Sequence, residues 1–181
     1  NGRHVVLIDS NQSNIKKAKD LGLEALNTNI YSDSLLDNIE LNDVGYLMAL
    51  TANTDINKYA INKFAEQFGE NGSFRLVSKE EMTDEENNPI EGLFSRTDDF
   101  NSLNELTNKY PTIHEIAIKN KEHFNDLIEI TKKDNDIIPL FIKDNKGELN
   151  ILSSYNTSVV SEISKGSKLV YLGKSLEKQK A

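Results

Sequence analysis

The residues in this chain whose type and placement suit binding chemistry sit where apolar runs end. Val5-Val6-Leu7-Ile8 is a continuous aliphatic run, and it stops at Asp9-Ser10-Asn11. A carboxylate at the tip of such a strand can accept hydrogen bonds from both adjacent hydroxyls of a ribose, so Asp9 is the first candidate, with Ser10 beside it. The competing reading is a helix cap, since Asp, Ser and Asn are all good N-caps. The second candidate is Thr51-Ala52-Asn53-Thr54-Asp55, which follows the apolar run from Val44 to Leu50. A helix is expected to begin there, and its free N–H groups favour an anion such as a phosphate. Thr54 or Asp55 acting as an ordinary N-cap is the alternative. The third is Asn27-Thr28-Asn29, whose amide and backbone groups can meet an adenine edge or simply form a turn.

Catalytic patterns are weak. His4, His114 and His123 are far apart, and the chain contains no H-E-x-x-H, nucleophile elbow or Walker loop. The carboxylate pairs Glu80-Glu81 and Asp98-Asp99 read as solvated loop residues, and Lys16, Lys17 and Lys19 as a solvated helix face. His114 lies in an alternating run and reads as a surface or interface residue. With no cysteine, there is no disulfide framework, thiolate metal site or thiol nucleophile. The expectation is therefore a protein that is not an enzyme, with no catalytic and no metal residues. Its 29 acidic and 21 basic residues give a net charge of −8, which repels phosphate backbones and disfavours nucleic-acid partners. No apolar run approaches the roughly 18 residues that crossing a bilayer requires. No signal segment or initiator Met opens the chain, which is expected to be a piece of something larger.

The elements that position these residues alternate. Strands are expected at Val5–Ile8, Leu23–Leu26, Val44–Leu50 and Ser73–Ser78. Helices are expected at Ser13–Leu21, Ser32–Ile39 and Asp55–Phe68, with Gly22 and Gly69 as stops. Strands alternating with helices imply βαβ units and a parallel sheet, and continuous aliphatic strands imply burial on both faces. The texture changes after Met82. Residues 83–110 read as a polar linker and a short helix around Phe100–Leu106. A half-buried strand at Thr112–Ile118 and a helix at Glu122–Lys132 follow, with Phe124, Leu127, Ile128 and Thr131 inward. Two strands then flank Asp144-Asn145-Lys146-Gly147, a hairpin signal, and a last strand covers Lys168–Leu172. The domain reading is 1–82, a linker at 83–110, and a small lobe at 111–175. The tail from Glu177 is expected to fray.

Taken together, Val5 to Asn11, the helix ending Leu21-Gly22-Leu23, and Leu47-Met48-Ala49-Leu50-Thr51 with Asn53, Asp55 and Asn57 resemble the RCK or TrkA-N family of regulators of potassium conductance. The resemblance covers residues 1 to about 82, and the back half is similar in layout to the small C-terminal RCK lobe. It implies an α/β fold: a Rossmann-like parallel sheet lacking its first strand in this fragment, plus a small α+β C-terminal lobe. It also implies a homodimeric domain at the cytoplasmic face of the inner membrane. There the domain would be fused to or bound beneath a monovalent cation transporter for Na+ or K+, such as a cation:proton antiporter. NAD(H) or an adenine nucleotide (ATP, ADP or AMP) would shift such a transporter between states. No G-x-G-x-x-G occurs in the chain, and Asn27-Thr28-Asn29 stands where the family has Gly-Asp-Ala. The residues carried over are therefore Asp9 and Ser10 toward a ribose, Asn29 near an adenine, and Thr51 and Asn53 near phosphates. Two other readings stay open: the NAD-binding domain of an oxidoreductase, and a dimerisation scaffold without ligand.

Overall fold

The computed structural model describes residues 3–83, 89–94, 99–153 and 163–176. Residues 84–88 and 95–98 of the expected linker, Asp98 among them, and the tail from Glu177 lie outside the described residues. The chain divides into two compact units, the first ending at Tyr46 and the second beginning at Leu47.

In the first unit, strand β1 (Val6–Asp9) pairs in parallel with β2 (Glu24–Asn27), joined by helix α1 (Gln12–Asp20). Asn11 caps α1, its side chain accepting from Ser13 N. At the other end Gly22 N donates to Lys19 O and Leu23 N to Ala18 O, a Schellman turn. Gly22 has φ +77, which glycine alone adopts without strain. The helix ends before Leu21, one residue short of the expected Ser13–Leu21, and leaves that side chain exposed. Ile15, Ala18 and Ala25 form the buried cluster, with Leu7 packed against it. β1, paired with β2, is half-buried along its length rather than buried on both faces. The segment Asp33–Asn38 is a 3-10 helix. It buries Leu35 and leaves Leu36 exposed.

His4, just before β1, ties this unit together. Its Nδ1 lies 2.7 Å from Asp43 Oδ1 and its Nε2 lies 2.8 Å from Glu24 Oε2. The hydrogen bonds to Asp43 and then Glu24 raise the imidazole above its ordinary 6.5 and lower the Asp43 carboxyl. Only the protonated ring donates to both carboxylates at once. A raised folded-state value means that this contribution is complete below about pH 6.5 and is lost as pH rises through the folded value. An NMR titration is expected to put the His4 midpoint above 6.5. The His4→Ala variant is expected to lose the wild-type fall in melting temperature as pH rises from 6.5 through the folded-state value. A midpoint at or below 6.5 would contradict the clamp.

In the second unit, β3 (Leu47–Ala49) pairs in parallel with β4 (Ser73–Leu76), and β4 with β5 (Gly92–Leu93). β3 is shorter than its apolar run and only Ala49 is buried, whereas β4 is buried throughout. The expected single helix after β3 is two: α2 (Thr54–Lys63) and α3 (Ala65–Gly72). They meet at Phe64, which leaves helical geometry at φ −104, ψ 13 while its ring is buried. Gly69 leaves helical geometry at φ 61, ψ −174, so the helical run breaks there, as expected of a stop. A short helix, α4 (Lys79–Thr83), follows β4, and α5 (Phe100–Lys109) follows β5.

The rest of this unit is an antiparallel sheet in the order β6-β9-β7-β8, made of β6 (Ile113–Ala117), β7 (Ile137–Lys143), β8 (Leu149–Ile151) and β9 (Lys168–Gly173). Helix α6 (Lys121–Lys133) lies on one face, burying Phe124, Leu127, Ile128 and Thr131. The opposite face packs Ile138, Leu140 and Leu172 against Phe74, Leu76, Leu93 and Leu106. The expected hairpin joins β7 to β8, with Asp144 Oδ1 accepting from Lys146 N and Glu148 N.

The whole is α/β with parallel ladders and a small antiparallel lobe. The parallel strands fall into two ladders, β1–β2 in the first unit and β3–β4–β5 in the second.

Candidate functional site

Asp9 ends β1 in register with Asn27, the last residue of β2. Parallel strands put both C-terminal ends at the same edge of the ladder, where ligands bind in open α/β sheets. The Asp9 carboxylate is held from two sides. Oδ1 accepts from Asn11 N at 2.8 Å, and Oδ2 accepts from Asn14 Nδ2 at 2.7 Å, one turn into α1. The amide of Asn27 donates to the carbonyls of Asp9 (3.4 Å) and Ser10 (3.1 Å), and Thr28 N also donates to Asp9 O. The turn carrying the carboxylate is thus pinned to the neighbouring strand. Ser10 is exposed. Asn29 lies two residues beyond β2 and shapes its own turn, its Oδ1 accepting from Tyr31 N and its carbonyl from Ser32 N.

An ionised carboxylate has about four acceptor sites, and these internal bonds engage two of them. What remains suits the two hydroxyls of a ribose, so the donor set present fits the ribose part of a nucleotide. Asp9 is the residue that would hold it, and the ligand would supply only its binding energy.

Thr51 and Asn53 belong to the second unit and form a separate cluster. Asn53 caps α2, its Oδ1 accepting from Asp55 N (2.9 Å) and Ile56 N (3.0 Å). Thr54 is the first residue of the helix and Asp55 lies in its first turn. The hydroxyl of Thr51 is 3.2 Å from Asn53 N and 2.7 Å from Asn57 Oδ1. Asn57 is the centre of this cluster and is 1% exposed. Its Oδ1 also accepts from Thr51 N (3.1 Å), and its Nδ2 donates to Thr51 O (2.9 Å) and to Leu76 O at the end of β4 (3.3 Å). One buried amide therefore shapes the loop after β3 and fastens it to the next strand. The sequence reading quoted Asn57 but gave it no role. An Asn among apolar helix positions is the signal, because a buried amide must find partners.

A second network sits behind this loop. Arg75, in the middle of β4, has a side chain only 3% exposed. Its guanidinium forks onto Glu81 (3.0 and 2.9 Å) and sends Nε to Glu91 (2.9 Å). Lys58 of α2 also reaches Glu81, at 2.9 Å. Ser78 and Glu81 form a capping box at the start of α4, with Ser78 N donating to Glu81 Oε2 and Glu81 N to Ser78 Oγ. Burial by itself pushes the Glu81 carboxyl up. The bonds from Arg75, Lys58 and Ser78 N outweigh it and hold the group at about 2. The reading of Glu80-Glu81 as a solvated pair is thus corrected for Glu81. Serine three residues before a glutamate, after a strand containing an arginine, was the visible signal.

The histidines of the second unit are framework groups. The His114 ring stacks on Tyr171 at 5.3 Å and its Nε2 is 3.1 Å from Gly173 O, while His123 Nδ1 accepts from Lys119 N. Asp99 caps α5 through Ser102. Lys16, Lys17 and Lys19 are exposed on α1, as expected. Among the described residues, no cluster of three or more His, Cys, Asp or Glu could hold a metal ion, and no helix is long and apolar enough to cross a membrane.

Parallel ladders alternating with helices mark a Rossmann-like α/β fold. Residues 1–83 match the family model of the TrkA-N domain. TrkA-N domains are NAD(H)-binding, Rossmann-like regulatory domains of potassium transport systems. No curated protein matches the chain.

Proposed function

We propose that this chain is the nucleotide-sensing regulatory module of a monovalent cation transporter, of the cation:proton antiporter kind, and that it binds without turning its ligand over. It works as a homodimer at the cytoplasmic face of the inner membrane. NAD(H) or an adenine nucleotide that prefers one dimer geometry shifts the population toward it, and the attached membrane domain follows. A ligand can move that balance only by its difference in affinity for the two states, typically 5- to 150-fold in coupled systems. The observation that carries this reading is Asp9: an acceptor fixed from two sides at the C-terminal end of a parallel strand, inside the TrkA-N segment. His114 and His123, taken up by backbone groups and ring stacking, support a module without acid–base chemistry.

Titration calorimetry of the whole protein with NADH, ATP and AMP tests this reading. Saturable binding of at least one of them is expected. Heats no larger than dilution for all three would remove the sensing function.

A further inference from the structure

The bonds around Asp9 go further than a cap requires. Asn11 alone caps α1, through Ser13 N. Asn14 adds nothing to that cap. Its side chain instead reaches back one turn to place Nδ2 2.7 Å from Asp9 Oδ2, the oxygen that the Asn11 amide leaves open. With Oδ1 and Oδ2 each taking one bond from its own chain, the carboxylate plane has a single orientation. The carbonyls on either side of the turn are held by Asn27. All three groups are neutral donors, so they orient the carboxylate without neutralising it. An arginine or lysine in place of Asn14 would have quenched the charge that makes a strong acceptor of hydroxyl protons.

We infer that Asn14 is a positioning residue for ribose recognition: it fixes the Asp9 carboxylate so that both oxygens face a vicinal diol, and it thereby sets selectivity for ribonucleotides over 2′-deoxyribonucleotides. The inference rests on the reading of Asp9 as the ribose contact. An oriented carboxylate meets two hydroxyls at once, and a diol lacking one of them leaves an acceptor desolvated and unpaired. A carboxylate free to rotate meets one hydroxyl as well as two, and discriminates little.

The test compares AMP with 2′-deoxy-AMP by calorimetry on the wild-type protein and on Asn14→Ala and Asn14→Asp variants, with melting temperatures taken alongside. Wild type is expected to prefer AMP by roughly tenfold, the worth of one hydrogen bond to a charged group. Asn14→Ala is expected to bring the two ligands within about twofold of each other, through weaker AMP binding and little change for the deoxy ligand. Asn14→Asp keeps the size but sets a second carboxylate against Asp9. It is expected to weaken AMP more than Ala does at neutral pH and to recover in mild acid. A purely structural Asn14 would lower the melting temperature and weaken both ligands equally, and that result would overturn the inference. So would an AMP preference that survives in Asn14→Ala. Absence of binding to either ligand in wild type would also overturn the inference, whereas the sensing function on which it rests falls only if NADH and ATP fail to bind as well.

Discussion

Glu81→Ala is expected to lower the stability of the folded chain by about 3–5 kcal/mol, because it strands a buried guanidinium. Arg75 is 3% exposed and cannot turn to water, and Glu91 reaches it through Nε alone. The reverse deletion is not symmetrical. Glu81 and Glu91 are 18% and 32% exposed, so both can rotate outward when Arg75 is replaced. Arg75→Met is accordingly expected to cost less than half as much, and adding it to Glu81→Ala to recover part of the loss. Acid should find the same network. The Glu81 carboxyl drops from 4.5 to about 2, so its contribution is complete above about pH 4.5 and disappears as pH falls toward 2. The corresponding free energy is about 3 kcal/mol, in line with the deletion. Urea denaturation of the three variants between pH 2 and 7 measures both effects. If Arg75→Met costs as much as Glu81→Ala, the asymmetry argued from exposure is wrong.

The second large effect is at Asn57. Asn57→Ala is expected to cost about 3 kcal/mol, from an unfilled buried site and from backbone groups of Thr51 and Leu76 that lose their partners. Asn57→Asp is the more telling change. It keeps the shape and the acceptor for Thr51 N, but faces Thr51 O and Leu76 O with a carboxylate instead of a donor. Burial without a partner raises the folded-state value of such a carboxyl. The variant is then close to wild type in acid, where the protonated form can still donate, and falls away as pH rises through that value. Amide hydrogen exchange at Thr51 and Asn53 gives the local readout: faster exchange is expected in both variants at pH 7. Unchanged exchange would mean that Asn57 does not shape the loop after β3.

Much of this architecture is legible in the residues because it is local. The inward stripe of α6, the alternation of β6 and the Asp144–Gly147 turn each follow from a period or a turn chemistry contained within about ten residues. The tip residues Asp9 and Asn53 are legible for the same reason, since a polar cluster ending an apolar run marks both a cap and the end of a strand. What the residues do not show depends on partners chosen elsewhere in the chain. An aliphatic run like Val5–Ile8 does not reveal how many strands and helices will cover it, and β1 ends half-buried. The break at Phe64 answers to where a ring can be buried rather than to helix propensity, which would carry the helix through. Glu81 is the plainest case. Beside Glu80 and before a polar stretch it resembles a solvated charge, and only the fold brings Arg75, six residues back on a buried strand, against it.

The measurement that bears most directly on the account is a side-by-side titration of NADH and AMP into wild-type and Asp9→Ala protein. Asp9 is half-buried at a strand end and its loss leaves the Asn11 cap in place, so the variant should fold. Saturable binding in wild type, weakened at least tenfold in Asp9→Ala, is the predicted result, since a charged acceptor for two hydroxyls is lost. Equal affinities in the two proteins would show that the ligand is held elsewhere, and the tip of β1 would no longer be the sensing site.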